Sequence, residues 1–211
     1  MKILSVTPIR TGPGELARRQ DRYRRLAPPG VECVLEEIGP DAPSQLATAH
    51  DITASTDSVT AALATAPDDG FTFRMPDCVL DPGVPVTPDG ADVPNIGMLR
   101  LCAAHLVATG RPFGAVTRNR AIGEALADRI EEYGYGPWFA GVTVLDLDLD
   151  AVADSGRWNE AVRGALDGFA ERGVRAVING CSAVDTDTPH TVRLVDPAAL
   201  ALRLLAAGGP A

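Results

Sequence analysis

Lysine is almost missing from this sequence: Lys2, at the chain start, is the only one in 211 residues. With no interior lysine to form a Schiff base, pyridoxal phosphate is excluded as a cofactor. There is no GxxxxGK[ST] phosphate loop, no GxGxxG turn and no HExxH helix. The three histidines (His50, His105, His190) do not cluster with cysteines as zinc ligands would, and the four cysteines contain no CxxC pair. Long apolar runs are also lacking. Nothing approaches the roughly 20 residues of a membrane span, and the apolar start at residues 1–6 stops at Thr7-Pro8, too short for a signal peptide. A cytoplasmic protein is expected, with its cysteines as free thiols in a reducing compartment. The net charge of -9 works against nucleic acid or an anionic membrane as partner, which leaves a small-molecule substrate.

What the sequence does have is alternation. Short apolar runs and helical patterns take turns, as in α/β proteins with parallel strands. In the first half, strands are expected over 3–7, 31–38 and 71–78, with helices over 14–26 and near 57–66. A Pro-Pro-Gly turn at 27–30 ends the first helix. The second half repeats the order. A short strand over 93–97 and a helix over 98–109 precede strands at 113–117, 139–145, 174–181 and 191–195. Helices are expected over 121–133, 158–172 and 197–207, the last with Pro197 in its first turn. Five arginines (Arg18, Arg19, Arg22, Arg24, Arg25) crowd the first helix. A solvated face is the plain expectation, and contact with an anionic partner the alternative.

Two local matches indicate an internal duplication. Ser5-Val6-Thr7-Pro8-Ile9-Arg10 resembles Ala115-Val116-Thr117-Arg118-Asn119-Arg120, each ending a strand and opening a loop before a helix. Cys78 and Cys181 then close the third strand of each half. Ligands in open α/β sheets bind beyond the carboxyl ends of the strands, so both cysteines are expected to face a shared cleft. A thiol there is a soft base with a free pKa of about 8.5. Two thiols on opposite faces of one carbon suit 1,1-proton transfer: one removes the α-proton and the other returns a proton to the opposite face. Amides after Cys181 are expected to form a helix start or nest favouring an anion. Thr7, Thr117 and Ser182 are candidate donors to an enolate. Cys33, inside a strand, and Cys102, inside a helical pattern, read as core.

Cys78-Val79-Leu80-Asp81-Pro82-Gly83 is similar to the C-x-x-D-P-G motif of hydantoin racemases, in the aspartate/glutamate racemase superfamily. The 27–32 turn, Val116-Thr117, Gly180-Cys181-Ser182 and Val195-Asp196-Pro197 resemble further segments of that family, so the likeness runs over nearly the whole chain. It implies two pseudo-symmetric flavodoxin-like lobes with parallel sheets and an active site in the cleft between them. The first lobe would span 1–97, with the C-terminal helix 197–207 packing back on it, and the second 98–196. It implies a cofactor-independent racemase or epimerase, an isomerase that is often a homo-oligomer. Its catalytic residues would be Cys78 and Cys181. Thr7, Ile9, Asp81, Thr117 and Ser182 would bind substrate.

Some residues depart from the family pattern. Its first loop usually reads Asn-Pro-Asn-Thr, where this chain has Thr7-Pro8-Ile9-Arg10. The strand before Cys78 carries Arg74, Pro76 and Asp77 in place of apolar residues. Asp77 would raise the neighbouring thiol's pKa if it pointed the same way. Arg74 is a candidate to offset it or to bind a substrate carboxylate, and the alternative for both is solvent on a bent strand. Competing readings are a double-bond isomerase or decarboxylase that needs one cysteine, and a diverged small-acid-binding protein that needs neither. Specificity is expected from the loops at 85–93 and 185–191. His190 and Asp185 are candidates to assist proton transfer, against the plain expectation that they face solvent.

Overall fold

The computed structural model describes residues 1–87 and 90–208. Part of the 85–93 loop singled out above, residues 88 and 89, thus lies outside the described residues. The chain forms two parallel sheets flanked by helices, an α/β fold in two lobes. The first sheet has the order β2-β1-β3, from β1 (Lys2–Val6), β2 (Glu32–Glu36) and β3 (Phe73–Pro76). A parallel bridge between Arg74 and Asn95 adds the start of a fourth strand beside β3. This bridge is all that forms of the strand expected over 93–97. The second sheet has the order β5-β4-β6-β7, from β4 (Phe113–Thr117), β5 (Phe139–Val144), β6 (Ala176–Asn179) and β7 (Arg193–Val195). The two orders superpose if β1, β2, β3 and Asn95 stand for β4, β5, β6 and β7. The central strands are apolar because both faces are covered: β4 is buried at every residue and β1 at all but its first.

Local chemistry sets the helix starts. In α1 (Pro13–Leu26) proline occupies the first turn, and Glu37 accepts from the amides of Thr11 and Gly12 just before it, each at 2.6 Å. α2 (Ala49–Thr65) begins earlier than the apolar pattern indicates, because Thr48 and Asp51 form a capping box. Asn119 caps α4 (Arg120–Glu132), and Asp154 caps α5 (Ser155–Glu171) through the Arg157 amide.

The remaining helices cross between the halves. α3 (Met98–Ala108) follows the first sheet, yet Leu99, Cys102, Ala103 and Leu106 share a core with Phe113, Ala115 and Ile178 of the second. α6 (Pro197–Gly208) follows the second sheet, yet Ala198, Ala201, Leu202 and Leu205 pack with Ile3, Cys33, Leu35 and Met75 of the first. The C-terminal helix thus packs back on the first lobe, and α3 packs on the second, which its residues open. Cys33 and Cys102 lie within these cores, where burial pushes both thiols up. No helix among the described residues is long and apolar enough to cross a membrane.

Candidate active site

The strand register puts Cys78 and Cys181 at equivalent places. Val6 of β1 pairs with Pro76 of β3, and Val116 of β4 with Asn179 of β6. One residue further on, the Asp77 amide donates to the Val6 carbonyl (2.8 Å) and the Gly180 amide to the Val116 carbonyl (2.7 Å). Each cysteine is the next residue, at the carboxyl edge of its sheet. In this register Asp77 corresponds to Gly180, Thr7 to Thr117, Pro8 to Arg118 and Ile9 to Asn119. Gly180 is glycine for want of space, since a Cβ there would stand 2.3 Å from the Val116 carbonyl oxygen. No helix follows Cys181; the chain turns over 182–184 instead, and the same holds after Cys78.

Both thiols line one cavity of about 60 Å³, together with Ile9, Leu46, Leu80, Ile122, Leu149 and Val152 on its apolar walls. Its polar lining includes Asp77, Arg19, Arg118 and Ser182. Asp77 is buried, but its carboxylate points away from solvent into α1. Arg19 pairs with it at 3.0 Å and the Tyr23 hydroxyl donates to it at 2.8 Å. Arg19 also bonds Glu15 at 2.7 Å. The Ser182 hydroxyl donates to the Asp77 carbonyl (3.1 Å), which ties the loop of one cysteine to the loop of the other.

The arginines of α1 are consumed inside the protein, which corrects the solvated-face expectation for most of them. Arg18 donates to the Ala183 carbonyl (3.0 Å) and Arg22 to the Val184 carbonyl (2.9 Å). Arg22, almost fully buried, also pairs with Asp196 and with Asp185 (3.1 Å), and Arg25 reaches Asp185 at 2.7 Å. One helix of the first lobe thereby holds the loop that carries Cys181. Arg24 and Arg25 stay exposed in surface pairs, Arg24 with Asp21 and Arg25 with Asp185.

The two thiols sit in different fields. Burial pushes Cys78 up to about 12; the Leu80 amide opposes this, and Asp77 and Asp81 add to it. Burial also raises Cys181, but the Ala183 amide and the charges of Arg19 and Arg22 pull it back down. Cys181 is also the more exposed of the pair.

Of the six residues expected to bind substrate, Ile9 and Ser182 line the cavity and four do not. Thr7 is fully buried, its hydroxyl oxygen accepting from the Ile38 amide (3.0 Å). Thr117 donates to the Asn119 carbonyl (3.2 Å). Asp81 caps α3: it accepts from the amides of Leu99 (3.0 Å) and Arg100 (2.9 Å) and from the Tyr133 hydroxyl (3.0 Å). Its carboxylate fills the space a Cβ on Gly97 would need, and burial raises its pKa to about 6. Arg74 neither faces solvent nor reaches the cavity. It is buried, pairs with Asp68 and donates to the carbonyls of Ala66 (2.9 Å) and Val93 (3.2 Å). Pro76 stays in the ladder as its last residue; its position has the parity of Arg74, whose amide faces the 93–97 segment, so β3 keeps its bond to β1 through the Asp77 amide. His190 bonds Asp167 (3.0 Å) and the Val192 amide (2.9 Å), away from the cavity. Sequence reasoning missed Arg19 and Arg118 as cavity residues. The available signal for Arg118 was a charge directly after a fully apolar strand, at the position of Pro8 in the repeat. Among the described residues no group of three or more His, Cys, Asp or Glu could hold a metal ion.

Comparison with curated proteins gives no match. Solved structures do resemble the chain. An allantoin racemase from Klebsiella pneumoniae aligns with a TM-score of 0.77 at 19% identity, covering 98% of this chain and 86% of that one. An allantoin racemase from Pseudomonas fluorescens aligns at 0.75 and 17%, covering 98% and 91%. A Picrophilus torridus aspartate racemase aligns at 0.58 and 13%, covering 98% and 95%. At these identities the likeness speaks for the fold. The sequence itself matches the family model described as Asp/Glu/Hydantoin racemase over residues 20–205, and the chain belongs to that family.

Proposed function

We propose that this chain is a cofactor-independent racemase or epimerase that moves a proton on a carbon next to a carbonyl, with Cys78 and Cys181 as the acid–base pair. The observation that carries the reading is the register: two thiols at equivalent strand ends of a repeated fold, lining one cavity. The thiolate of one cysteine takes the α-proton and becomes a thiol. The resulting enolate takes a proton from the opposite thiol, which becomes the thiolate. No atom or charge is gained or lost, and the next turnover runs in reverse.

The unequal fields suit unequal roles in the resting protein. Cys181, beside Arg19 and Arg22, is the thiol that ionises more readily; Cys78, between Asp77 and Asp81, holds its proton. The same asymmetry favours one second reading, a decarboxylase or double-bond isomerase in which a single thiol does the proton chemistry. One experiment separates the two. Amino acids, hydantoins and small acids are incubated with the protein in deuterated water and followed by NMR and polarimetry. Deuterium at the α-carbon with loss of optical activity is the expected result. Release of carbon dioxide or a migrated double bond would favour the second reading. Cys78→Ser and Cys181→Ser are each expected to abolish racemisation, and full racemisation by either variant would sink the two-base mechanism. The chain is taken as a cytoplasmic homo-oligomer, which size-exclusion chromatography with light scattering tests.

A further inference from the structure

We propose that Arg118 is the receptor for a substrate carboxylate, so that the cavity takes a short carboxylic acid in preference to a neutral ring. The proposal rests on reading the cavity as the substrate site, and it names the substrate class for that site.

Arg118 follows the apolar strand β4 and is 7% exposed, with its side chain on the cavity wall. Two neutral carbonyls aim it. Leu46, from the first lobe, accepts at 3.1 Å and Leu147, from the second, at 3.5 Å. The rest of its donors make no hydrogen bond among the described residues, and none of its atoms is among the buried polar atoms left without a partner. Nε, unbonded among the described residues, is thus accessible on a side chain that lines the cavity. The other buried arginines near the site are neutralised: Arg19 by Asp77 and Glu15, Arg22 by Asp185 and Asp196. No carboxylate pairs with Arg118 among the described residues; the negative charges that act on it are Cys181, when ionised, and then Asp148, which is bridged to Arg157. A guanidinium held among apolar side chains without a counter-ion is costly. An entering carboxylate would neutralise it through charge-assisted, potentially bidentate bonds.

The same contact would help the chemistry. When the α-proton leaves, negative charge moves onto the carboxylate oxygens, so the guanidinium binds the transition state more strongly than the ground state. A companion ammonium finds no such welcome. Asp77 is the carboxylate lining the cavity, and Arg19 and Tyr23 already occupy it. The small apolar cavity thus favours a short acid without a free ammonium group.

Two probes test this without knowing the substrate. Iodoacetate is an α-halo acid, and iodoacetamide is its neutral counterpart. Each alkylates a thiolate with loss of iodide, and mass spectrometry of the Cys78 and Cys181 peptides gives the rates. Relative to free cysteine, the iodoacetate-to-iodoacetamide ratio at Cys181 is expected to be about tenfold or more higher, as a charge-assisted pair would give. Arg118→Gln should return the ratio to that of free cysteine, and Arg118→Lys should keep much of the preference. If Arg118 serves only to favour the thiolate, Arg118→Gln slows both reagents equally and the proposal falls. As a second readout, isobutyrate should raise the melting temperature of the wild-type protein, isobutyramide should not, and Arg118→Gln should erase the difference. Absence of both preferences overturns the proposal. Racemisation of a hydantoin without any preference for acids would overturn the proposal and leave the racemase reading standing. Acid preference with no α-deuteration of any acid would do the reverse.

Discussion

Arg19→Leu removes the guanidinium that ties α1 to Asp77, the residue before the first cysteine. Asp77 is 1% exposed and would keep only the Tyr23 hydroxyl as donor. Breaking a buried ion pair from one side costs about 3–5 kcal/mol, because the remaining charge is stranded in low dielectric. Glu15 also loses a partner, but a quarter of its side chain is exposed and Arg18 still bonds it, so that loss stays within about 1 kcal/mol. For a chain of this size, about 2–4 °C is lost per kcal/mol, so the melting temperature should fall by roughly 6–20 °C. Leucine keeps most of the packing volume, which leaves the charge as the variable. The assay is a double-mutant cycle by thermal and urea unfolding, with Asp77→Asn as the second substitution. Adding Arg19→Leu to Asp77→Asn should cost about 2 kcal/mol less than adding it to the wild type. A melting temperature within about 2 °C of wild type, or additivity within about 0.5 kcal/mol, would refute the claim that this pair is a buried, coupled element.

Burial raises both cavity thiols, Cys78 to about 12. Alkylation of each by iodoacetamide, followed from pH 6 to 11, should therefore titrate above the free-cysteine value of about 8.5, and proton transfer should quicken as pH rises; a midpoint at or below that value refutes it. Asp81 binds a proton more tightly in the folded state, at about 6 against 3.8 for the free group. The folded state thus holds the extra proton between those values, and this contribution to stability grows as pH falls from 6 to 3.8, by up to about 3 kcal/mol. Asp81→Asn should remove that slope from the urea-unfolding free energy, and an unchanged slope counts against it. Gly180→Ala places a Cβ 2.3 Å from the Val116 carbonyl oxygen. The strained strand end should cost about 1–3 kcal/mol, with loss of the proposed racemase activity, and a circular-dichroism melt matching wild type would contradict it.

Element order was legible in the sequence because parallel strands covered on both faces must be apolar, and the runs at β1, β4 and β6 are. The start of α2 was readable too, but only from Thr48 and Asp51; apolar periodicity does not report a capping box. The strand expected over 93–97 shrank to one bridge, since hydrophobic content cannot show how many residues find a ladder partner. For the site, the repeat located both cysteines at strand ends. It could not tell which way each neighbouring side chain points. Asp81 and Arg74 have the right chemistry for binding substrate, yet one caps α3 and the other bonds Asp68 and two carbonyls. The arginines of α1 look like a solvated stripe in one dimension. Their partners Ala183, Val184, Asp185 and Asp196 lie some 160 residues away, and only the fold brings them together.

The repeat keeps strand order and strand-end register but is broken in charge, and the break falls on the cavity. Where the second half has Gly180, with no room for a side chain, the first has Asp77, whose carboxylate recruits Arg19 to the wall. Where the first half has Pro8, the second has Arg118. Both departures put a guanidinium on the lining of a cavity otherwise framed by two symmetric thiols. A symmetric pair of bases alone would accept a ligand in either of two orientations related by the pseudo-twofold axis. Arg19 cannot select one, because Asp77 and Glu15 already neutralise it. Arg118, which lines the cavity without a carboxylate partner among the described residues, would select one if it receives the substrate as proposed. Under the proposed mechanism, the backbone symmetry would set where proton transfer occurs and the broken symmetry which way round the substrate lies.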